Sequence, residues 1–227
     1  MSKKVFIGVG HGGTDPGAVS GSFVEADINL VMAKSVRYHL ERHGVLVMMS
    51  RTKDENDPLR EEITECNNFN PDLALDCHNN SGGGDGFEVF YSRVGGEGKT
   101  LAVNIEKHVK CIGQNSRGCK IKLNSSGRDY FGFIRETRCP AVICEGIFID
   151  NVTDRQIADT IAEQEKFGEA YAKGVLETLG ITWKEDGGSS DHKLWAVCVG
   201  AYAYNTAKAK VEEMKSKGYK DTYLIPR

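Results

Sequence analysis

Apolar residues fall in two alternating patterns along the chain: short unbroken runs, and longer stretches in which they recur every third or fourth position. The run from Lys4 to Val9 predicts a first strand, which stops at the glycine cluster Gly10-His11-Gly12-Gly13. From Glu25 to about His43 the apolar positions Ile28, Val31, Met32, Val36 and Leu40 return at helical spacing, and Gly44 is the stop. Val45 to Met49 reads as a second strand. A helix from about Pro58, with Leu59, Ile63 and Cys66 on one face, leads into a strand from Asp72 to His78 and a Ser81-Gly82-Gly83-Gly84 loop. A strand from Gly86 to Tyr91 and a helix from Gly98 to Ile112 follow, the helix turning Leu101, Ile105, Val109 and Ile112 inward. An irregular stretch runs to Arg138, then a strand from Ala141 to Ile149 and one long helix from about Thr153 to Leu179, closed by Gly180. Strands alternating with helices predict an α/β fold: a mostly parallel, twisted sheet with helices on both faces.

The pattern lapses after that helix. Lys184-Glu185-Asp186-Gly187-Gly188-Ser189-Ser190-Asp191 has no apolar residue, as expected of a linker. The sequence therefore divides into a main domain over 1–180, a linker over 181–191 and a small βαβ segment over 192–227. Within that segment the expectation is a strand from Leu194 to Tyr202, a helix from about Asn205 to Lys217 and a strand from Tyr219 to Ile225.

Composition narrows the class of partner. With 40% hydrophobic and 27% charged residues the chain has the make-up of a globular protein. A net charge of -3 argues against nucleic acid or an anionic membrane as the main partner, since both call for a basic face. No run approaches the roughly 18 apolar residues of a membrane helix, and the N-terminal segment meets Gly8 before a signal-peptide core can form. The expectation is a protein made in the cytoplasm without an export signal and without membrane insertion. Seven cysteines without CxxC spacing point to reduced thiols, most of them buried.

Four residues at or just after strand ends can carry chemistry: His11, Glu25, His78 and Glu145. Two histidines and a glutamate form a recognised catalytic zinc set, with a fourth position for water. Glu145 lies in an apolar strand, where an ionised carboxylate is costly without a task. Spacing leaves plainer readings open. His11 can be a loop histidine, Glu25 an acid favoured at a helix N-terminus, His78 a satisfied core histidine, and Glu145 a structural partner of Arg51 or Arg135.

The segment Val9-Gly10-His11-Gly12-Gly13-Thr14-Asp15-Pro16-Gly17-Ala18 resembles the opening motif of the zinc-dependent N-acetylmuramoyl-L-alanine amidases of the Amidase_3 type. Glu25, fourteen residues after His11, matches their second ligand. Leu75-Asp76-Cys77-His78-Asn79-Asn80 resembles the segment bearing the third ligand, and Gly86 to Tyr91 the strand that follows it. Pro140 to Asn151 resembles the segment carrying the catalytic glutamate, here Glu145. The chain departs from the pattern at Asp76-Cys77, where small or apolar residues are usual, and at Cys144, where an aliphatic is commoner.

The resemblance covers about residues 4 to 180. It implies one Zn2+ per chain held by His11, Glu25 and His78, Glu145 as the base, and hydrolysis of the amide bond between N-acetylmuramic acid and L-alanine in bacterial peptidoglycan. Asn80 and Arg51 become candidates for contacts to substrate or to the shell around the metal. Without an export signal the expected setting is a phage or prophage endolysin rather than a host autolysin. A peptidase or deacetylase on a similar scaffold, or a wall-binding protein without activity, are the rival classes, and a pure binder has no need of Glu145. Leu194 to Tyr202 resembles the opening strand of SPOR-like peptidoglycan-binding domains, and the two following elements match the first half of that fold. Half a fold leaves a strand edge unpaired, so the segment is expected either to pair with a second copy, giving a homodimer, or to dock on the main domain.

Overall fold

The computed structural model describes residues 2–185. The chain divides into a compact unit over 1–184 and a second unit over 185–227. The elements expected over 192–227 lie outside the described residues.

Six strands form one sheet in the order β4-β1-β5-β8-β6-β7, with β1 at Lys4–Val9, β4 at Leu46–Met49, β5 at Leu73–Asn80, β6 at Phe87–Tyr91, β7 at Ser116–Lys120 and β8 at Ala141–Phe148. The strands β4, β1, β5 and β8 are parallel, and β6 runs antiparallel to β8. A two-stranded hairpin, β2 (Val19–Ser20) with β3 (Phe23–Val24), leads into α1 (Glu25–Arg42).

Period-two alternation sorts the strand side chains onto two layers. Val5, Ile7, Val9, Leu73, Leu75, Cys77, Val142 and Cys144 pack against α1, α3 (Gly96–Cys111) and α6 (Ile161–Thr178). Phe6, Ala74, Ala141 and Ile143 face α2 (Leu59–Phe69) and α4 (Gly132–Glu136) on the other side. The sheet is thus buried on both faces, which is why its strands read as unbroken apolar runs.

The order of connection positions the site. From β1 the chain crosses by α1 to β4 on one side, then by α2 to β5 on the other, so the connections diverge between the carboxyl ends of β1 and β5. In open α/β sheets a crevice at such a divergence is where ligands bind. His11 follows β1, and His78 lies near the end of β5.

Three expectations need correction. The helix expected over 153–179 is two, α5 (Val152–Gln156) and α6. Asp154 is fully buried and accepts hydrogen bonds from the backbone N–H of Phe148 at 2.6 Å and of Gly86, so the first turn is tied to the sheet. A capping box, Thr160 with Glu163, then starts a new helix. The stretch before Arg138, expected to be irregular, holds β7 and α4. Finally, residues 181–184, assigned to the linker, pack on the first unit: Trp183 stacks on His43 at 4.9 Å, and Lys184 N–H donates to Nε2 of His43 at 2.9 Å.

Candidate active site

Three side chains from separate elements converge in the crevice. His11 is a non-glycine residue in the left-handed region, at φ 64°. That conformation is costly outside glycine and clusters at functional sites. It turns the His11 ring so that Nε2 stands 3.3 Å from Oε1 of Glu25, while Nδ1 stands 2.8 Å from Oδ2 of Asp15. Glu25 is the first residue of α1, yet its side chain is only 5% exposed, and so does more than complement the helix dipole. Its Oε1 also accepts the backbone N–H of Asn79 at 3.1 Å, and its Oε2 that of Ala18 at 2.9 Å. His78 brings Nδ1 to 3.1 Å from Oε1 of Glu25. The two imidazoles meet edge to face at 5.1 Å, and the ligand atoms of His11, Glu25 and His78 all lie within 4.8 Å of one another.

Gly10 is what lets the rings meet. A Cβ there would stand 2.2 Å from the His78 ring, so any side chain at position 10 displaces a candidate ligand. The carbonyl of Gly10 accepts from Asn29 at 2.9 Å, and Asn29 in turn accepts from Asn79 at 2.8 Å, which ties β1, α1 and β5 together beneath the cluster.

The electrostatics follow from packing. Burial works to raise the carboxyl of Glu25, but hydrogen bonds from His11 and His78 hold it well below the ordinary carboxylate range. His11 is raised, chiefly by its hydrogen bond with Glu25. Burial opposes charge on His78, yet Asp76, with Glu25 and Glu145, lifts it above the ordinary histidine value.

Glu145 lies on β8 directly across from His78 on β5 and across from Glu88 on β6. Burial, with Glu25, Asp76 and Glu88 nearby, raises its carboxyl to about 7, against the opposing pull of His78. Neither arginine considered as its partner holds it. Arg51, itself 2% exposed, donates to the carbonyls of Val9, Gly10 and Ala26 and braces the loop that carries His11. Arg135 donates to the carbonyls of Asp129 and Tyr130. Asn80, half-buried at the end of β5, turns its Oδ1 to the N–H of Ser81 at 3.1 Å.

Sequence reading missed Asp15, Asn29, Asn79 and Glu88. Asp15 and Asn79 lie inside the motifs already quoted, so their nearness to His11 and His78 was a usable signal. Asn29 on a helix carries none, and Glu88, though inside the quoted Gly86 to Tyr91 segment, becomes significant only because the sheet pairs it with Glu145, and Arg117 and Lys120 offset its charge.

The fold and this constellation define an α/β protein with two histidines and one glutamate grouped so that they could hold a metal ion at the carboxyl ends of parallel strands, flanked by a carboxyl group that burial raises to about 7. Comparison with known proteins gives the family. The Amidase_3 model, N-acetylmuramoyl-L-alanine amidase, matches residues 5–177, and the chain belongs to that family. The chain is 30% identical to the sporulation-specific N-acetylmuramoyl-L-alanine amidase of Bacillus subtilis, over 98% of this chain and 84% of that protein. It is 33% identical to the endolysin of Bacillus phage SPP1, over 85% of this chain and 72% of that one. The solved catalytic domain of CwlV, an N-acetylmuramoyl-L-alanine amidase from Bacillus (Paenibacillus) polymyxa, superposes with a TM-score of 0.72 at 28% identity, over 79% of this chain and 99% of that domain. The activity is accordingly that of an N-acetylmuramoyl-L-alanine amidase acting on peptidoglycan.

Proposed function

We propose that this amidase works with one zinc ion per chain held by His11, Glu25 and His78, and with Glu145 as general base. The convergence of the three donors within 4.8 Å carries the reading. Two imidazoles and a carboxylate suit zinc with a position left for water, and Glu25 is held ionised, as a ligand must be. Bound there, zinc supplies a Lewis acid and a water acidified toward neutrality.

The remaining work falls to the chain. As the water oxygen bonds to the lactyl carbonyl carbon of N-acetylmuramic acid, a carboxylate oxygen of Glu145 takes its proton. The same oxygen then delivers that proton to the alanine nitrogen as the C–N bond breaks. The products are a lactyl carboxylate on the glycan and a new L-alanine amino terminus. A carboxyl group raised to about 7 suits both halves of this transfer. Arg51 braces the backbone that carries His11, and Asn79, whose N–H donates to Glu25 and whose Oδ1 accepts the N–H of Ile147, ties the end of β5 to α1 and β8.

The test is metal content together with release of alanine amino termini from purified walls. Wild-type protein should carry one zinc per chain, and His11→Ala and His78→Ala should lose metal and activity together. Active protein free of zinc, or full activity in His78→Ala, would overturn the assignment.

For the setting, likeness to the SPP1 endolysin over 85% of the chain supports a phage or prophage lysis enzyme. Likeness of similar strength to a sporulation-specific amidase supports the rival reading, a bacterial cell's own wall-remodelling amidase. Residues 192–227 are proposed, on their SPOR-like pattern, as a wall-binding segment that pairs with a second copy.

A further inference from the structure

We infer that Asp76 and Glu62 form a buried carboxyl pair that positions His78 for the metal, Asp76 directly and Glu62 through Asp76; the inference rests on the reading of His78 as a ligand. Asp76 stands two residues before His78 on β5 and so shares its face of the strand. Its Oδ2 lies 3.2 Å from Nε2 of His78, within hydrogen-bond distance, and its side chain is 3% exposed. With Nε2–H directed at Asp76, Nδ1 is the nitrogen presented to Glu25 and His11. His11 has the complementary arrangement, Nδ1 on Asp15 and Nε2 toward the cluster. Each histidine thus has a carboxylate on the nitrogen turned away from the site, the device that fixes tautomer and ring orientation in metal-binding histidines. Asp15 is two-thirds exposed, whereas Asp76 is buried, so the His78 arm is the more firmly set.

Glu62 explains how Asp76 is itself held. On α2, Glu61 is exposed while Glu62 is 4% exposed and turned under the sheet. Its Oε1 and Oδ1 of Asp76 are both buried without a hydrogen-bond partner among the described residues. They flank the same point: a Cβ on Gly8 would stand 2.1 Å from the one and 2.7 Å from the other, so the carboxyl pair occupies space that a side chain at position 8 would fill. Two adjacent buried carboxyl groups cannot both be ionised cheaply. Burial first, then the charges of Asp76, Asp57 and Glu65, push Glu62 well above the ordinary range, against the opposing charge of His78. In its acid form Glu62 donates its O–H to Oδ1 of Asp76 and leaves Oδ2 for His78. Asp76 stands where the family resemblance anticipates a small or apolar residue, so the brace belongs to this chain's own sequence.

The experiment measures zinc affinity by competition with a chromogenic chelator, with thermal melting of each metal-free variant as the control for folding. Long-range 1H–15N correlation on the zinc-loaded protein reads which His78 nitrogen carries hydrogen. Wild type should show Nε2–H and metal at Nδ1. Asp76→Ala should weaken zinc binding by about 10- to 100-fold without a matching loss of fold. Asp76→Asn, which keeps an acceptor but no charge and serves where the alanine variant does not fold, should lie between it and wild type. Glu62→Gln keeps a donor to Asp76 and should hold zinc within about 10-fold of wild type, while Glu62→Leu should approach Asp76→Ala. Wild-type affinity in folded Asp76→Ala or Asp76→Asn, or His78 bound through Nε2, would overturn the inference. Retention of zinc by His78→Ala would instead overturn the ligand reading on which it rests.

Discussion

At Glu145 three strands bring His78, Glu88 and the carboxyl itself to one level of the sheet, and burial keeps a proton within reach near pH 7. Replacing the carboxyl by an amide of the same shape removes the base and leaves the packing. Glu145→Gln should therefore keep its zinc and its fold while wall cleavage falls by about 10² to 10⁴-fold. Loss of metal in that variant would make Glu145 a ligand, and a fall of less than about tenfold would remove it as the base. In the sequence this residue was legible as an acid in an apolar strand. Which nitrogen each histidine presents was not, because Asp15 takes Nδ1 of His11 across a turn and Asp76 takes Nε2 of His78 along one strand face, and only the folded geometry fixes those contacts.

Among the elements, the break between α5 and α6 is the one that apolar spacing concealed. Val152 and Ile161 are exposed at the two helix starts, so the periodicity runs through the break, while the decisive contacts are polar. Asn151 accepts the N–H groups of Thr153 and Asp154, and Thr160 accepts that of Glu163. Thr160→Ala removes the capping side chain of α6, whose Phe167, Tyr171, Val175 and Leu176 fill the core. It should cost about 1 kcal/mol in urea unfolding, with zinc content unchanged. An unchanged midpoint would show that packing alone fixes where α6 begins.

At the scale of the folded unit, His39 on α1 makes stability depend on pH. It is 8% exposed, its ring lies 5.2 Å from Trp183, and Nδ1 has no hydrogen-bond partner among the described residues. Burial pushes it down to about 4; Glu169 opposes the shift, while Arg42, His43 and Lys173 add to it. Above the ordinary histidine value of about 6.5 both folded and unfolded chains are neutral at this site. Between about 6.5 and about 4 only the unfolded chain takes up the proton, so stability should fall as pH drops through this range, by at most about 1.4 kcal/mol per pH unit. His39→Phe should flatten that part of the stability curve in urea titrations at pH 5 and 7. An unchanged slope would show that His39 titrates normally.

On the endolysin reading, the 227-residue chain produced inside a susceptible bacterium should leave the cells intact until the membrane is permeabilised. Deletion of residues 187–227 should give a monomer that cleaves soluble muropeptide but binds whole walls less. Lysis without permeabilisation would count against the endolysin setting, and equal wall binding after deletion would end the targeting role of the tail.

Two kinds of information separate along this chain. Apolar periodicity marked β1, α1, β4, α2, β5, β6, α3 and β8, because buried strands and amphipathic helices must repeat at 2.0 and 3.6 residues whatever their partners are. The motifs marked His11, Glu25, His78 and Glu145 from local sequence alone, although Glu145 proves to stand within β8 rather than at its end. Tertiary structure alone decided the rest. β7 is short and only partly buried, and α4 is a single turn, so neither generates a pattern. Asp154 ends one helix through bonds to Phe148 and Gly86, the latter 68 positions away. Asp76 and Glu62 meet beside Gly8 only because α2 packs under the sheet between β1 and β5. Contacts of that kind depend on where the backbone crosses itself, and the order of residues along the chain does not carry that.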